Sequence, residues 1–395
     1  MINKTLTGLA IVIVFVGFFF GCDNSVSNDR TIVPATETVF SPDKTGPYPV
    51  GVKTIVLVDN TREDKIIGGP RTLVTEIWYP AVDSAKDAPY SSLKDYFGSD
   101  FEDAMNELMD KFGGDFAINI SDKHLLSHRD VKIRDGKFPV VIFSHGNGGV
   151  RFQSVYMTEF LASHGYVVVA PDHTGNAAVT VINGEIITYD LNSLPYGMID
   201  RIFDIKFILD QLAIFEEKTS GSFLSEHLDL DNIGMSGHSF GAFTSISVAS
   251  RDDRLKAILP QAAPGFISNE LKAATMYMYA NKDGTIKETG NNGIKMEFNM
   301  TDSDAYLVEF INGGHFTFSN MCDIIPDFGD GCGVDIVDGK EINYLDWNTA
   351  YTYINHYAAS FFGYYLKHKK DYGKYIFTNP DQKEIRFTSN VIKLQ

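Results

Sequence analysis

Hydrophobic positions along this chain change their spacing in a regular succession. After an unbroken small or apolar run at 9–20 and a polar stretch at 23–44, residues 52–58 and 71–79 alternate apolar with polar, the period of a half-buried strand. Asp59-Asn60-Thr61 marks a turn between them, so the two are expected to pair antiparallel at a sheet edge. Between Ala81 and Asp130 the rhythm becomes helical, with Leu93, Phe97, Phe101, Met105, Leu108, Met109 and Phe112 on one repeat. This region (81–130) is expected to be a helical insertion, either a lid over one rim of the sheet or a packing helix away from it. Near-continuous apolar runs follow at 138–143, 166–171, 232–235, 255–260, 275–279 and 305–311, as in strands covered on both faces. Helix-length segments separate them, notably 156–164 and 193–215, and an amphipathic helix dense in Tyr and Phe closes the series at 346–366. Such strand–helix alternation predicts an α/β fold with a mostly parallel central sheet and flanking helices. The patterning bounds one domain at 46–372 and leaves 373–395 as a C-terminal tail; no internal repeat is visible.

Residues 1–21 read as an export signal, because Lys4 precedes an apolar run too short to span a bilayer comfortably. The run ends at Gly21-Cys22, which resembles the end of a bacterial lipobox, where the cysteine receives a diacylglycerol and becomes the first residue; Phe19 and Phe20 depart from the usual preceding pair. The segment 22–45 then reads as a lipidated flexible tether. The expected location is the bacterial cell envelope, held to the membrane through Cys22, with a secreted or periplasmic protein as the alternative. The 395 residues include 51 acidic against 34 Lys and Arg, a net charge of −17, and loss of the signal makes the chain more acidic still. Such a surface repels nucleic acid and anionic headgroups, which excludes nucleic acid as a partner. Cys322 and Cys332, ten positions apart, are the two cysteines left over; in an oxidising compartment they are expected to form a disulfide. With no further cysteines and scattered histidines, no zinc site is expected.

The candidate chemistry centres on Gly237-His238-Ser239-Phe240-Gly241, which follows a short apolar run and precedes a helix-compatible one. A serine between glycines at a strand-to-helix turn is the nucleophile elbow, whose tightness tolerates only glycine-sized neighbours; the bland alternative is a helix-capping serine in an ordinary loop. A serine nucleophile needs a base, an acid that orients the base, and N–H donors for the oxyanion. In the order Ser, Asp, His, the acid candidate is Asp283, just past the strand at 275–279, where a turn-forming Asp-Gly pair is the alternative reading. Asp252 and Asp253 stand at the wrong end of a strand. The base candidate is His315, in a post-strand loop with two preceding glycines; His356 lies inside the closing helix. The glycine-rich loop Ser144-His145-Gly146-Asn147-Gly148-Gly149 follows a buried strand, and the backbone N–H groups of Asn147 and Phe240 are the expected oxyanion donors.

Four segments carry a family resemblance: Phe143-Ser144-His145-Gly146, Leu161-Ala162-Ser163-His164-Gly165-Tyr166-Val167-Val168, the elbow itself, and Gly314-His315-Phe316-Thr317-Phe318-Ser319. They resemble the platelet-activating-factor acetylhydrolase branch of the α/β-hydrolases, which grades into dienelactone-hydrolase-like and polyester-hydrolase-like enzymes. In the acetylhydrolase proper the acid ends the strand after the nucleophile helix; here that position is Gln261, which cannot serve, and Asp283 matches the acid of the other two groups. A smaller departure is Ala242, where glycine is frequent. The resemblance implies a carboxylic-ester hydrolase working through an acyl-enzyme on a small-molecule or lipid ester, with short-acyl or acetyl phospholipid-like esters expected and no metal or organic cofactor. The alternatives are a polyester, cutin-type or dienelactone-type hydrolase and, in another class, a catalytically silent surface lipoprotein that binds a lipid or partner.

Overall fold

The computed structural model describes residues 39–112, 120, 125–265, 271–337, 339–378 and 383–391. The expected signal segment, Cys22 and most of the tether lie outside them. The fold opens with β1 (Val50–Glu63) and β2 (Pro70–Pro80), paired antiparallel as expected, with Val52 opposite Trp78. The insertion contributes three short 3₁₀ turns and α1 (Phe101–Phe112) before β3 (Ser127–Arg129), which pairs parallel with the start of β1. Then come β4 (Phe138–Ser144), α2 (Val155–Ser163), β5 (Val167–Pro171), a hairpin of β6 (Val179–Ile182) and β7 (Glu185–Thr188), α3 (Ser193–Glu216), β8 (Leu228–His238), α4 (Phe240–Ala249), β9 (Leu255–Gln261) and β10 (Ala274–Ala280). The chain ends with α5 (Lys287–Met300), β11 (Ala305–Phe310), a hairpin of β12 (Val334–Val337) and β13 (Lys340–Asn343), α6 (Trp347–Tyr365), α7 (Tyr372–Ile376) and β14 (Ile385–Ser389).

Ten strands form one sheet in the order β14-β11-β10-β9-β8-β4-β5-β2-β1-β3, and the six from β11 to β5 are mutually parallel. Alternate residues of the central strands feed two cores. Val141, Phe143, Val168, Met276 and Met278 pack with Leu161 of α2 and with Ile354, Phe361 and Phe362 of α6. Val140, Ile142, Val169, Ile258 and Tyr277 pack with Ile205 and Leu209 of α3, Ile246 of α4 and Phe298 of α5. Apolar layers on both faces explain why β4, β5 and β10 are buried at every position. From β4 the chain goes to β5 on one side and later returns to β8 on the other. That reversal opens a crevice at the C-terminal ends of β4 and β8, the usual seat of a site in such a sheet.

The expected C-terminal tail is a correction. Residues after 372 complete α7 and supply β14, which pairs antiparallel with β11 and buries Ile385. Five residues with apolar side chains at 385 and 387 give too brief an alternation to stand out. The hairpin β6–β7 turns on Asn183-Gly184, both at positive φ, a short-range signal that the sequence carries. Helix α5 is hidden by two glycines and three asparagines, poor helix formers; the tertiary burial of Ile294 and Phe298 overrides them.

Glu297 of α5 is 4% exposed, and one carboxylate oxygen accepts the Gly265 N–H at 3.0 Å. Burial pushes its carboxyl up from 4.5 to about 7. A raised carboxyl pKa means that the native state holds its proton longer than the unfolded chain, so this group costs stability as pH rises through that window, by an amount on the order of 3 kcal/mol. Glu297→Gln is therefore expected to melt above the parent at about pH 8, with the gap closing toward pH 4.5. A gap that stays constant with pH would contradict this.

Candidate active site

Ser239 sits between β8 and α4 with φ 55° and ψ −118°, a conformation that side chains rarely adopt. Its neighbours show why the turn needs glycine. A Cβ on Gly241 would stand 1.8 Å from the Ser144 carbonyl oxygen, and one on Gly237 would stand 2.3 Å from that of Gly241. The strained residue is tied down by its own N–H, which donates to the Gln261 carbonyl at 2.8 Å.

The parallel strands β10 and β11 end in register, Ala280 beside Phe310, and the loops beyond them carry Asp283 and His315. His315 Nδ1–H donates to Asp283 Oδ2 at 2.8 Å, and His315 Nε2 lies 3.0 Å from Ser239 Oγ. Asp283 Oδ1 accepts the N–H groups of Thr285 and Ile286 at 3.0 and 2.9 Å, which leaves Oδ2 for the imidazole. A third loop braces both. Asp330 Oδ1 accepts the His315 and Gly284 N–H groups at 3.0 and 2.7 Å, its Oδ2 accepts the Thr285 hydroxyl at 2.6 Å, and its carbonyl accepts the Phe316 N–H at 2.8 Å. A Cys322–Cys332 disulfide closes that loop.

His238 links the elbow to the His315 loop. Its Nε2–H donates to the His315 carbonyl at 2.9 Å, and its Nδ1 accepts from Gln153 Nε2 at 2.7 Å. Burial holds it well below the ordinary imidazole pKa, so it is neutral. Gln153 Oε1 accepts the Gly146 N–H at 2.9 Å, which joins the loop after β4 to the same assembly.

In that loop the Gly148 N–H donates to the Asn176 carbonyl at 3.0 Å and the Gly149 N–H to the Gly146 carbonyl at 3.1 Å. The amides of Asn147 and Phe240 have no acceptor among the described residues, and Asn147 shares a cavity of ≈ 270 Å³ with Ser239 and His315. Its walls are mainly apolar: Val150, Phe152, Met321 and Ile324, with Leu93 and Leu108 brought from the insertion. The insertion thus reaches the site. Of the remaining candidates, Gln261 is fully buried with Nε2 against the sulfurs of Met157 and Met278. Asp252 pairs with Arg254, Asp253 with Lys272, and His356 with Asp43 and the Tyr375 carbonyl; Ala242 is buried.

A second chain of the same composition exists. Ser144 Oγ lies 2.9 Å from His173 Nε2, and His173 Nδ1–H donates to Asp204 Oδ2 at 2.9 Å. All three residues have no exposure, and Arg201 and Arg71 occupy the remaining positions on Ser144 and Asp204, so substrate has no access to this serine. His173, Asp204, Arg71, Arg201, Gln153, Asn176 and Asp330 do not stand out by motif.

Residues 34–186 match the model of platelet-activating factor acetylhydrolase, isoform II, and residues 129–327, just over half the chain, match the dienelactone hydrolase family. A probable 1-alkyl-2-acetylglycerophosphocholine esterase of Arthroderma benhamiae is 32% identical over 126 residues, 30% of each chain. The platelet-activating factor acetylhydrolase of Bos taurus is 28% identical over 149 residues, 30% of this chain and 34% of that one. The chain thus spans about a third of the length of these relatives. Among solved structures, a ferulic acid esterase from Streptomyces cinnamoneus superposes with a TM-score of 0.67 at 21% identity, over 91% of this chain and 99% of that one, which shows a shared α/β-hydrolase fold.

Opening the ten-residue separation between Cys322 and Cys332 with reductant is expected to lower the unfolding free energy by about 2.7 kcal/mol on the chain-entropy argument. Equal urea midpoints with and without reductant would contradict it.

Proposed function

Because this chain belongs to the dienelactone hydrolase family, we propose that it is a serine hydrolase of carboxylic esters, with Ser239 as nucleophile, His315 as base and Asp283 as the acid that orients it. The observation that carries this reading is the unbroken chain from Asp283 to His315 to Ser239, at 2.8 and 3.0 Å, opening into an apolar cavity. With Nδ1–H given to the carboxylate, Nε2 is left with a lone pair facing the hydroxyl. In the proposed reaction His315 takes the Ser239 proton as Oγ adds to the ester carbonyl, and the oxyanion accepts from the Asn147 and Phe240 amides. His315 then protonates the leaving alcohol, and water activated by the same imidazole releases the acid. Asp283 holds the tautomer and stabilises the imidazolium.

The cavity favours a compact apolar acyl group. Its ≈ 270 Å³, lined mainly by apolar side chains, is enough for a short acyl chain or a single aromatic acid. The net charge of −17 disfavours anionic substrates. The position of Asp283, with Gln261 in apolar surroundings, supports a general esterase over an enzyme restricted to platelet-activating factor. Attachment to the cell envelope through a lipid on Cys22 is part of the proposal, and labelled palmitate should enter the full-length chain but not Cys22→Ser.

Hydrolysis of a nitrophenyl ester series should peak at short acyl chains and fall at palmitoyl. Ser239→Ala should abolish turnover, and Asp283→Asn should lower kcat by a factor on the order of 10⁴ by presenting the wrong tautomer. Gln261→Ala should stay within a few fold of the parent. Full activity in Asp283→Asn would remove the acid assignment, and full activity in Ser239→Ala the whole reading.

A further inference from the structure

Arg201, on the third turn of α3, is 1% exposed and does not line the cavity. Its guanidinium is paired with no carboxylate among the described residues. Every donor goes instead to the loop after β4 or to the residue that braces it. Nη1 donates to the His145 carbonyl at 2.6 Å and to Ser144 Oγ at 3.2 Å, Nη2 to the Gly146 carbonyl at 3.0 Å, and Nε to Asn176 Oδ1 at 3.0 Å. Asn176 in turn donates to Asn147 Oδ1 at 2.8 Å, and its own carbonyl accepts the Gly148 N–H at 3.0 Å. The guanidinium carbon lies 4.6 Å from the centre of the Phe240 ring, over that ring. Gly197, one turn earlier on α3, makes room for that ring: a Cβ there would stand 3.1 Å from it.

We propose that Arg201 is a positioning residue that presets both oxyanion donors, the Asn147 and Phe240 amides, before substrate arrives. The Gly146 carbonyl and the Asn147 N–H belong to one peptide plane and point in opposite directions. A donor fixed on that carbonyl from the α3 side turns the N–H the other way, toward the cavity shared with Ser239. The His145 Nδ1–H at 2.7 Å and the Gly149 N–H at 3.1 Å donate to the same carbonyl, and donors on a carbonyl strengthen the N–H of its peptide. The contact over the Phe240 ring ties the residue that carries the second amide to the same cation. A buried cation hydrogen-bonded to neutral carbonyls also stands behind the place where negative charge develops, its field offset in part by the Asp204 carboxylate. Lysine cannot reproduce this arrangement, since it has one point of attachment and no stacking plane.

This inference rests on the hydrolase reading, and its test separates the two. Turnover of nitrophenyl acetate and inhibition by a trifluoromethyl ketone are measured for the parent chain, Ser239→Ala and Arg201→Lys, each checked for folding by its melting transition. Arg201→Lys should lower kcat about 100-fold, the cost of losing one oxyanion donor, with KM within about threefold. Ketone inhibition should weaken in parallel, because the adduct's oxyanion uses the same amides. A folded Arg201→Lys with parental kcat, or with its loss confined to KM, overturns the role of Arg201 and leaves the hydrolase standing. A parent chain without Ser239-dependent turnover overturns both. Should Arg201→Lys fail to fold, Asn176→Ala carries the test: a loss of about tenfold in kcat at constant KM supports the clamp, and kcat within twofold of the parent overturns it.

Discussion

The backbone of the elbow and the end of β4 lie closer than any side chain would permit, with Gly241 against the Ser144 carbonyl. The rest of the site depends on that approach. It places the loop that carries Asn147 beside the turn that carries Ser239, at the crevice where the sheet reverses direction. The His315 loop then has one place to go, and His238 and Gln153 link it to both neighbours. The two glycines of the elbow thus act less by flexibility than by size.

Behind these loops the molecule buries an unusual amount of charge. Arg71 joins Asp64 and Asp204, Asp204 accepts from His173, and Arg201 spreads over the carbonyls of the loop. Burial drives His173 down to about 3, so it stays neutral, while Arg71 and the hydrogen bond from His173 hold the Asp204 carboxyl below its ordinary value. Taking such groups out of water costs stability even when each finds a partner. A network of this kind is reasonable where donors must already be aimed when charge appears, because water would otherwise have to reorient with the reaction. The buried Ser144–His173–Asp204 chain belongs to this scaffold. It has triad spacing, but its three residues are fully buried and none lines the cavity that holds Ser239.

Much of this could be read from the linear sequence, and the limits have physical causes. The parallel strands were legible because burial on both faces leaves runs such as Phe138–Ser144 without polar interruption. Ser239, Asp283 and His315 were legible because each sits just past a strand, in a turn whose glycines or Asp-Gly pair mark it. The helix Lys287–Met300 was hidden because tertiary burial, not propensity, forms it, and β14 because five residues hold too little pattern. Asp330, Asn176 and Arg201 were hidden for a different reason: their roles lie in contacts with residues tens of positions away, which local spacing does not encode.

The central claim is that a relay of three side chains makes one particular hydroxyl nucleophilic. Treatment of the folded protein with a fluorophosphonate, followed by peptide mass mapping, tests it most directly. The account predicts a single phosphonyl adduct on the peptide that contains Ser239, and its disappearance in a folded His315→Ala variant. An adduct on any other serine, or no adduct on a protein that still hydrolyses esters, would contradict it.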